Sequence, residues 1–96
     1  MDLNMIRKMQ KLQKEIQEKQ EKFMDEVFTH SKHGVTISCK GNKQIVDIKI
    51  GDPDLLDPED PEILEDIFQL ALNEIFEIID EKLQAMMPEM PGGFGL

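Results

Sequence analysis

The stretch that decides the fold is residues 34–50, GVTISCKGNKQIVDIKI. Its two halves, residues 35–40 and 45–50, each alternate apolar and polar side chains, which is typical of half-buried antiparallel strands. On this pattern, one face of the hairpin carries Val35, Ile37, Cys39, Val46, Ile48 and Ile50. Gly41-Asn42 between the halves fits a two-residue hairpin turn, since glycine accepts a positive φ. The stretch therefore predicts a β-hairpin that turns one face to the core.

A third strand is predicted from a weaker pattern just before this hairpin. It covers residues 26–30, EVFTH, and leaves residues 31–34 as the turn into the next strand. The three strands together predict an antiparallel sheet.

A second helix is predicted after a rigid, acidic connector, residues 51–61, that holds three prolines. Asp60 suits the N-cap, and Pro61 suits the first helical position, where no N–H is needed. The helix runs over about 61–87, and its broad apolar face is expected to cover the sheet. The remainder, residues 88–96, is rich in glycine and proline and is expected to be a mobile tail.

The first segment, residues 3–25, predicts a long helix because it has no glycine or proline and many good helix formers. Its apolar side chains form a stripe about 60° wide, too narrow for the usual face of a core helix. The stripe consists of Met5, Met9, Leu12, Ile16 and Phe23. A rod of about 33 Å cannot be covered by so small a chain. The stripe is therefore predicted to be a dimer or packing seam, most simply against a second copy.

Composition sets the class of protein. The chain has 96 residues, enough for a single domain over 1–96, and 40% hydrophobic against 32% charged residues argues against wholesale disorder. No apolar run approaches the roughly 18 residues of a membrane span, and the first residues are too polar for a secretory signal. One cysteine, Cys39, excludes an internal disulfide and fits a reducing compartment such as the cytoplasm.

Charge is unevenly distributed along the chain. Residues 1–50 hold ten basic and seven acidic side chains, whereas residues 51–96 hold thirteen acids and only one base, Lys82. Four cations lie near the start: Arg7, Lys8, Lys11 and Lys14. Of these, Arg7, Lys11 and Lys14 lie opposite the apolar stripe of the first helix. A polyanion could bind only at this end of the protein, because the acidic half would repel it. The alternative is that the charges simply keep a small protein in solution.

No set of residues in the sequence predicts catalysis or a cofactor. His30, His33 and Cys39 fall short of the ligands that a zinc site needs, and Cys39 alternates toward the buried face, where a thiol is unreactive. The acids over residues 52–62 lack the spacing of a calcium loop and suit helix capping. We therefore expect no metal, no cofactor and no enzymatic activity.

The order of these segments and their amino-acid sequences resemble those of a known protein family. The motifs that carry the resemblance are MIRKMQKLQKEIQ, GVTISCKGNKQIVDIKI, LLDPEDPEILED, ALNEIF and PGGFGL. In this order, they resemble the YbaB/EbfC family of bacterial nucleoid-associated DNA-binding proteins, over essentially the whole chain.

The resemblance implies an α+β fold with element order α-β-β-β-α and a homodimer whose long helices project like tweezers. It also implies a non-catalytic cytoplasmic protein that binds duplex DNA at the nucleoid, with a role in nucleoid organisation or gene regulation. The family's binding is associated with the projecting helices, where Arg7, Lys8, Lys11 and Lys14 have suitable chemistry here.

A second hypothesis comes from the acidic half of the chain. Residues 51–96 carry a net charge of −12, which would favour a basic protein partner over nucleic acid. On this hypothesis, the protein is an acidic dimeric adaptor or chaperone that has lost or weakened DNA binding.

Overall fold

A computed structural model describes residues 2–87 of the chain. The elements in chain order are helix α1 (Leu3–Asp25), strands β1 (Val27–Lys32), β2 (Val35–Lys40) and β3 (Ile45–Ile50), a short 3-10 helix (Pro53–Leu55) and helix α2 (Pro61–Met86). The three strands form one antiparallel sheet in the order β1-β2-β3. The predicted α-β-β-β-α fold is confirmed.

Helix α1 projects from the rest of the molecule. Asp2 caps its start by accepting a hydrogen bond from the Asn4 N–H (3.1 Å), and Glu26 ends it by turning to an extended conformation. Phe23, near the carboxyl end, is the one residue of α1 that is fully buried. The described chain is accordingly elongated, with principal dimensions of 70 × 26 × 14 Å.

Strand β1 is longer than the predicted 26–30, because Ser31 and Lys32 continue the ladder opposite Thr36 and Val35. The Ser31 and Thr36 hydroxyls also hydrogen-bond across the strands at 2.8 Å. Only His33 and the following glycine are left for the turn, and both have positive φ, as a two-residue hairpin turn favours. The sequence pattern missed this because the end of β1 is polar on both faces.

The connection between β2 and β3 differs from the predicted Gly41-Asn42 turn. The Lys40 N–H donates to the Gln44 carbonyl oxygen (2.9 Å), which closes a loop of three residues, 41–43, and the positive φ of 70° falls on Lys43. Gly41 is required for a different reason, since a Cβ there would lie 2.0 Å from the Phe23 carbonyl oxygen. The glycine lets the loop pack directly on the backbone of α1.

The core lies between β2 and α2. Val35, Ile37 and Cys39 of β2 are completely buried against Ala71, Ile75 and Ile79 of α2, and Phe23 completes the cluster. The predicted inward face of β2 is therefore correct. Helix α2 covers the sheet as expected over β1 and β2, but not over β3. Asp60 occupies the N-cap of α2, although its side chain makes no capping hydrogen bond.

Strand β3 does not bury its apolar face as predicted. A register shift opposite Ser38 and Cys39 places Ile45, not Val46, beside Cys39. Val46 and Ile48 are each 45% exposed. The physical reason is that α2 packs mainly across β1 and β2 and leaves β3 at an uncovered edge.

Residues 88–96, for which a mobile tail is predicted, lie outside the described residues. Within residues 2–87, neither helix is both long enough and apolar enough to span a bilayer.

Candidate nucleic-acid interface

The predicted DNA-binding cations lie on the first turns of α1. Arg7, Lys8, Lys11 and Lys14 are all exposed and extend over about 10 Å along the helix axis. At 100° per residue, they spread over about 120° of its circumference. Ion pairs among residues 2–87 involve other side chains, so these four cations are held by no carboxylate of the described chain. The structure therefore places four cations together on one end of a projecting rod.

The apolar stripe lies opposite Arg7, Lys11 and Lys14 on α1, with Lys8 at its flank, and runs from solvent into the core. Met5, Met9 and Leu12 are more than half exposed, Ile16 is half-buried and Phe23 is 4% exposed. The Phe23 ring packs on Phe28 of β1 with centroids 5.1 Å apart, which anchors the base of the helix. The outer part of the stripe therefore remains uncovered within the described chain.

Contacts at two levels fix how the helices run past each other. The loop after β2 donates a hydrogen bond to the Met24 carbonyl oxygen of α1, and its Lys43 pairs with Asp80 of α2 (2.8 Å). Farther along, the Gln20 amide of α1 contacts the sulfur of Met87, just beyond α2, at 3.1 Å. The carboxyl end of α2 therefore runs back along α1, and the two helices are antiparallel.

This arrangement separates the two charged ends of the molecule. The acids at the start of α2, Glu62, Glu65 and Asp66, lie about 21–27 Å beyond Asp80, on the side away from the α1 tip. The Debye length at physiological salt is only about 8 Å. The negative end is therefore screened from a polyanion that contacts the tip.

A polar cluster links the outer strand β1 to α2. His30 Nε2 lies 2.8 Å from Glu74 Oε1, and Lys32 Nζ lies 3.3 Å from Glu74 Oε2. The hydrogen bond with His30, assisted by Lys32, lowers the pKa of Glu74 against the opposing effect of partial burial. The sequence gives no sign of Glu74 as the partner of His30, because the two residues lie 44 positions apart and no local pattern pairs them.

The remaining reactive groups form no site with these residues. Among residues 2–87, no three His, Cys, Asp or Glu side chains come together in a way that could hold a metal ion. Cys39 is fully buried, and loss of hydration raises the pKa of its thiol despite the nearby Lys43. The exposed cations on α1 are therefore the feature with the clearest binding chemistry.

Comparisons with known proteins agree with the fold. A crystal structure of an uncharacterized protein from Helicobacter pylori is similar, with a TM-score of 0.69 and 27% identity, covering 90% of this chain and 92% of that one. A nucleoid-associated protein of Mycoplasmopsis pulmonis is 37% identical over 97% of this chain and 93% of its own length. One of Clostridium novyi is 33% identical over 97% of this chain and 82% of its own. The family model described as the YbaB/EbfC DNA-binding family matches residues 2–94. The chain belongs to the YbaB/EbfC DNA-binding family.

Proposed function

We propose that this protein is a nucleoid-associated protein that binds duplex DNA as a homodimer in the cytoplasm. The observation that carries the proposal is the group of four exposed cations at the end of α1, which pair with no carboxylate of residues 2–87, on a chain whose family is a DNA-binding one. Relatives named nucleoid-associated proteins support the association with the nucleoid. The proposed role there is in nucleoid organisation or gene regulation.

The contacts in this proposal are with phosphates. Arg7, Lys8, Lys11 and Lys14 point outward over several directions, which suits a charged backbone better than a row of base edges. A dimer with eight such cations would release at most about eight counterions, for a slope of about −7 in log affinity against log salt. We therefore expect modest affinity at physiological salt and weak sequence preference.

A second copy of the chain is the proposed occupant of the apolar surfaces that the described residues leave open. One surface is the outer seam of α1, at Met5 and Met9, which are 57% and 56% exposed. The other is the uncovered strand β3, where Ile45, Val46 and Ile48 are exposed on an edge strand. Burial of such surfaces is the main driving force for association, and an unpaired edge strand invites pairing.

Fluorescence anisotropy of labelled duplex DNA, at about 50 and 200 mM salt, tests the proposal together with the solution mass. We expect binding by a species of two chains that weakens steeply with salt. In Lys11→Glu/Lys14→Glu, four cations are lost per dimer, so binding should be abolished at 200 mM salt and the dimer kept. The matched control is Lys40→Glu/Lys49→Glu, which makes the same change of charge on the sheet.

Two results would contradict the assignment of the site. One is unchanged DNA affinity in the α1 double variant. The other is an equal loss of affinity in the sheet control, which would show a general charge effect in place of a site on α1.

The acidic end supports the second candidate, a protein-interaction adaptor or chaperone. The acids at the start of α2 are exposed and lie apart from the cations of α1. Absence of DNA binding at 50 mM salt, in a protein confirmed to be dimeric, would favour this candidate over the first.

A further inference from the structure

A groove runs between α1 and the carboxyl end of α2. It consists of two adjoining open cavities of about 400 and 250 Å³, which share Lys19 and Met86 in their walls. Leu12, Ile16 and Phe23 form its apolar side along α1. The apolar wall of the groove lies on the side of α1 opposite Arg7, Lys11 and Lys14.

The described chain ends inside this groove. Met87, its last residue, lines the smaller cavity and is held at 3.1 Å by the Gln20 amide. Nine residues follow, and an extended segment of that length reaches about 30 Å. The groove between Leu12 and Phe23 is only about 16 Å long. Residues 88–96 therefore start at the groove and are long enough to occupy it.

The composition of residues 88–96 matches the groove. The segment, PEMPGGFGL, has three large apolar side chains, Met90, Phe94 and Leu96, and three glycines, which allow close approach of the backbone. Its only charged side chain is Glu89, two residues beyond Met87. Lys19 and Lys22 in the wall offer opposite charge for that carboxylate, and with Glu26 in the same wall the net charge of the lining is still positive.

We propose that residues 88–96 bind in the groove between α1 and α2 of the same chain, with the Phe94 ring against the apolar wall. The covalent link at Met87 favours this occupant over a second copy, because a short tether gives a local concentration in the millimolar range. The bound segment would brace the part of α1 between its core anchor and its basic tip. This proposal does not depend on DNA binding.

NMR of the full chain, with labelled methyl groups, tests the proposal directly. We expect nuclear Overhauser effects from the Phe94 ring to the Ile16 and Leu12 methyls, with upfield shifts of those methyls. Phe94→Leu should remove the upfield shifts and leave the core methyls of Ile75 and Ile79 unchanged. A dimer mixed from differently labelled chains shows whether each effect arises within one chain.

A variant of the groove provides the second test. Ile16→Glu places a charge in the apolar wall and should release the segment, seen as a fall in the heteronuclear Overhauser values of residues 88–96. Gln17→Glu puts the same charge one position around α1, on an exposed side chain, and should leave those values unchanged.

Three outcomes would overturn the proposal. The first is a full chain in which Phe94 shows no effect on groove methyls. The second is that those effects appear only between different chains, which would place a partner's segment in the groove. The third is equal mobility of residues 88–96 in Ile16→Glu and the unmodified protein.

Discussion

Gly41 shows how one residue without a side chain fixes the base of α1. Its N–H donates to the Glu26 carbonyl oxygen at 2.9 Å, and its Cα lies against the Phe23 backbone. The sequence predicted a glycine turn at this place but for the wrong reason. Conformational freedom can be inferred from a turn pattern, whereas close approach to a residue eighteen positions earlier cannot.

Replacing Gly41 by alanine should strongly destabilise the protein. The new Cβ would meet the Phe23 carbonyl oxygen at 2.0 Å and its carbonyl carbon at 2.8 Å, so backbone must move. We expect the free energy of unfolding, measured with urea, to fall by more than about 2 kcal/mol. Gly51→Ala is the matched control, since its Cβ would meet nothing closer than 3.5 Å. Equal stability of the two variants would contradict the close packing described for Gly41.

The Glu74 carboxylate should make stability depend on pH in a defined direction. Its pKa is lowered in the folded protein, chiefly by the hydrogen bond with His30. The folded state therefore favours the charged form, and the stabilisation is present above the ordinary pKa of 4.5 and lost as pH falls through the lower folded value. Denaturant unfolding of the unmodified protein and Glu74→Gln should show a stability difference at pH 6 that shrinks toward pH 3.

Glu77→Gln is the control for that measurement. Glu77 lies on the same helix and is exposed, and no ion pair of residues 2–87 includes it. A difference that persists unchanged at pH 3, or one of the same size for Glu77→Gln, would argue against the cluster as its cause.

At the scale of elements, the strands differ in how far their sequence determines their surroundings. β2 is the central strand and is covered by α2, so its alternation of Val35, Ile37 and Cys39 translates directly into burial. β3 has the same alternation but lies at an edge that α2 does not cover. The alternation of a strand shows which of its faces is apolar. Whether that face is buried within the chain depends on where the helices pack.

Strand β3 therefore offers a test of the proposed dimer. Ile48→Lys should reduce the mass in solution from two chains toward one, because a lysine would have to be buried between the copies. The fold should survive, since Ile48 is 45% exposed within the chain. Sedimentation and circular dichroism would separate these effects. Asp47→Lys, on the other face of β3, is the control. If Asp47→Lys dissociated and Ile48→Lys did not, the dimer interface would lie on the face of Asp47, which would contradict the proposal.

At the scale of the whole molecule, the sequence predicted the order of elements, the projecting helix and the family. These follow from local patterns: periods of two and 3.6 residues, Pro61 at a helix start, and motifs in a fixed order. The separation of the basic tip from the acidic start of α2 required the antiparallel course of the two helices, set by Lys43 with Asp80 and by Gln20 with Met87. Those pairs are distant in sequence and carry no local signal.

The attachment of α1 at one end has a mechanical consequence. Phe23 holds the helix in the core, and the basic tip lies about 25 Å away along the axis. A rotation of about 6° at that pivot moves the tip by about 2.5 Å, with no change in the core. In the proposed dimer, the two α1 helices could adjust the distance between their tips to different phosphate spacings. If residues 88–96 bind along α1 as proposed, a shorter part of the helix is free to move. The bound segment would then limit how much variation in DNA shape the dimer can accommodate.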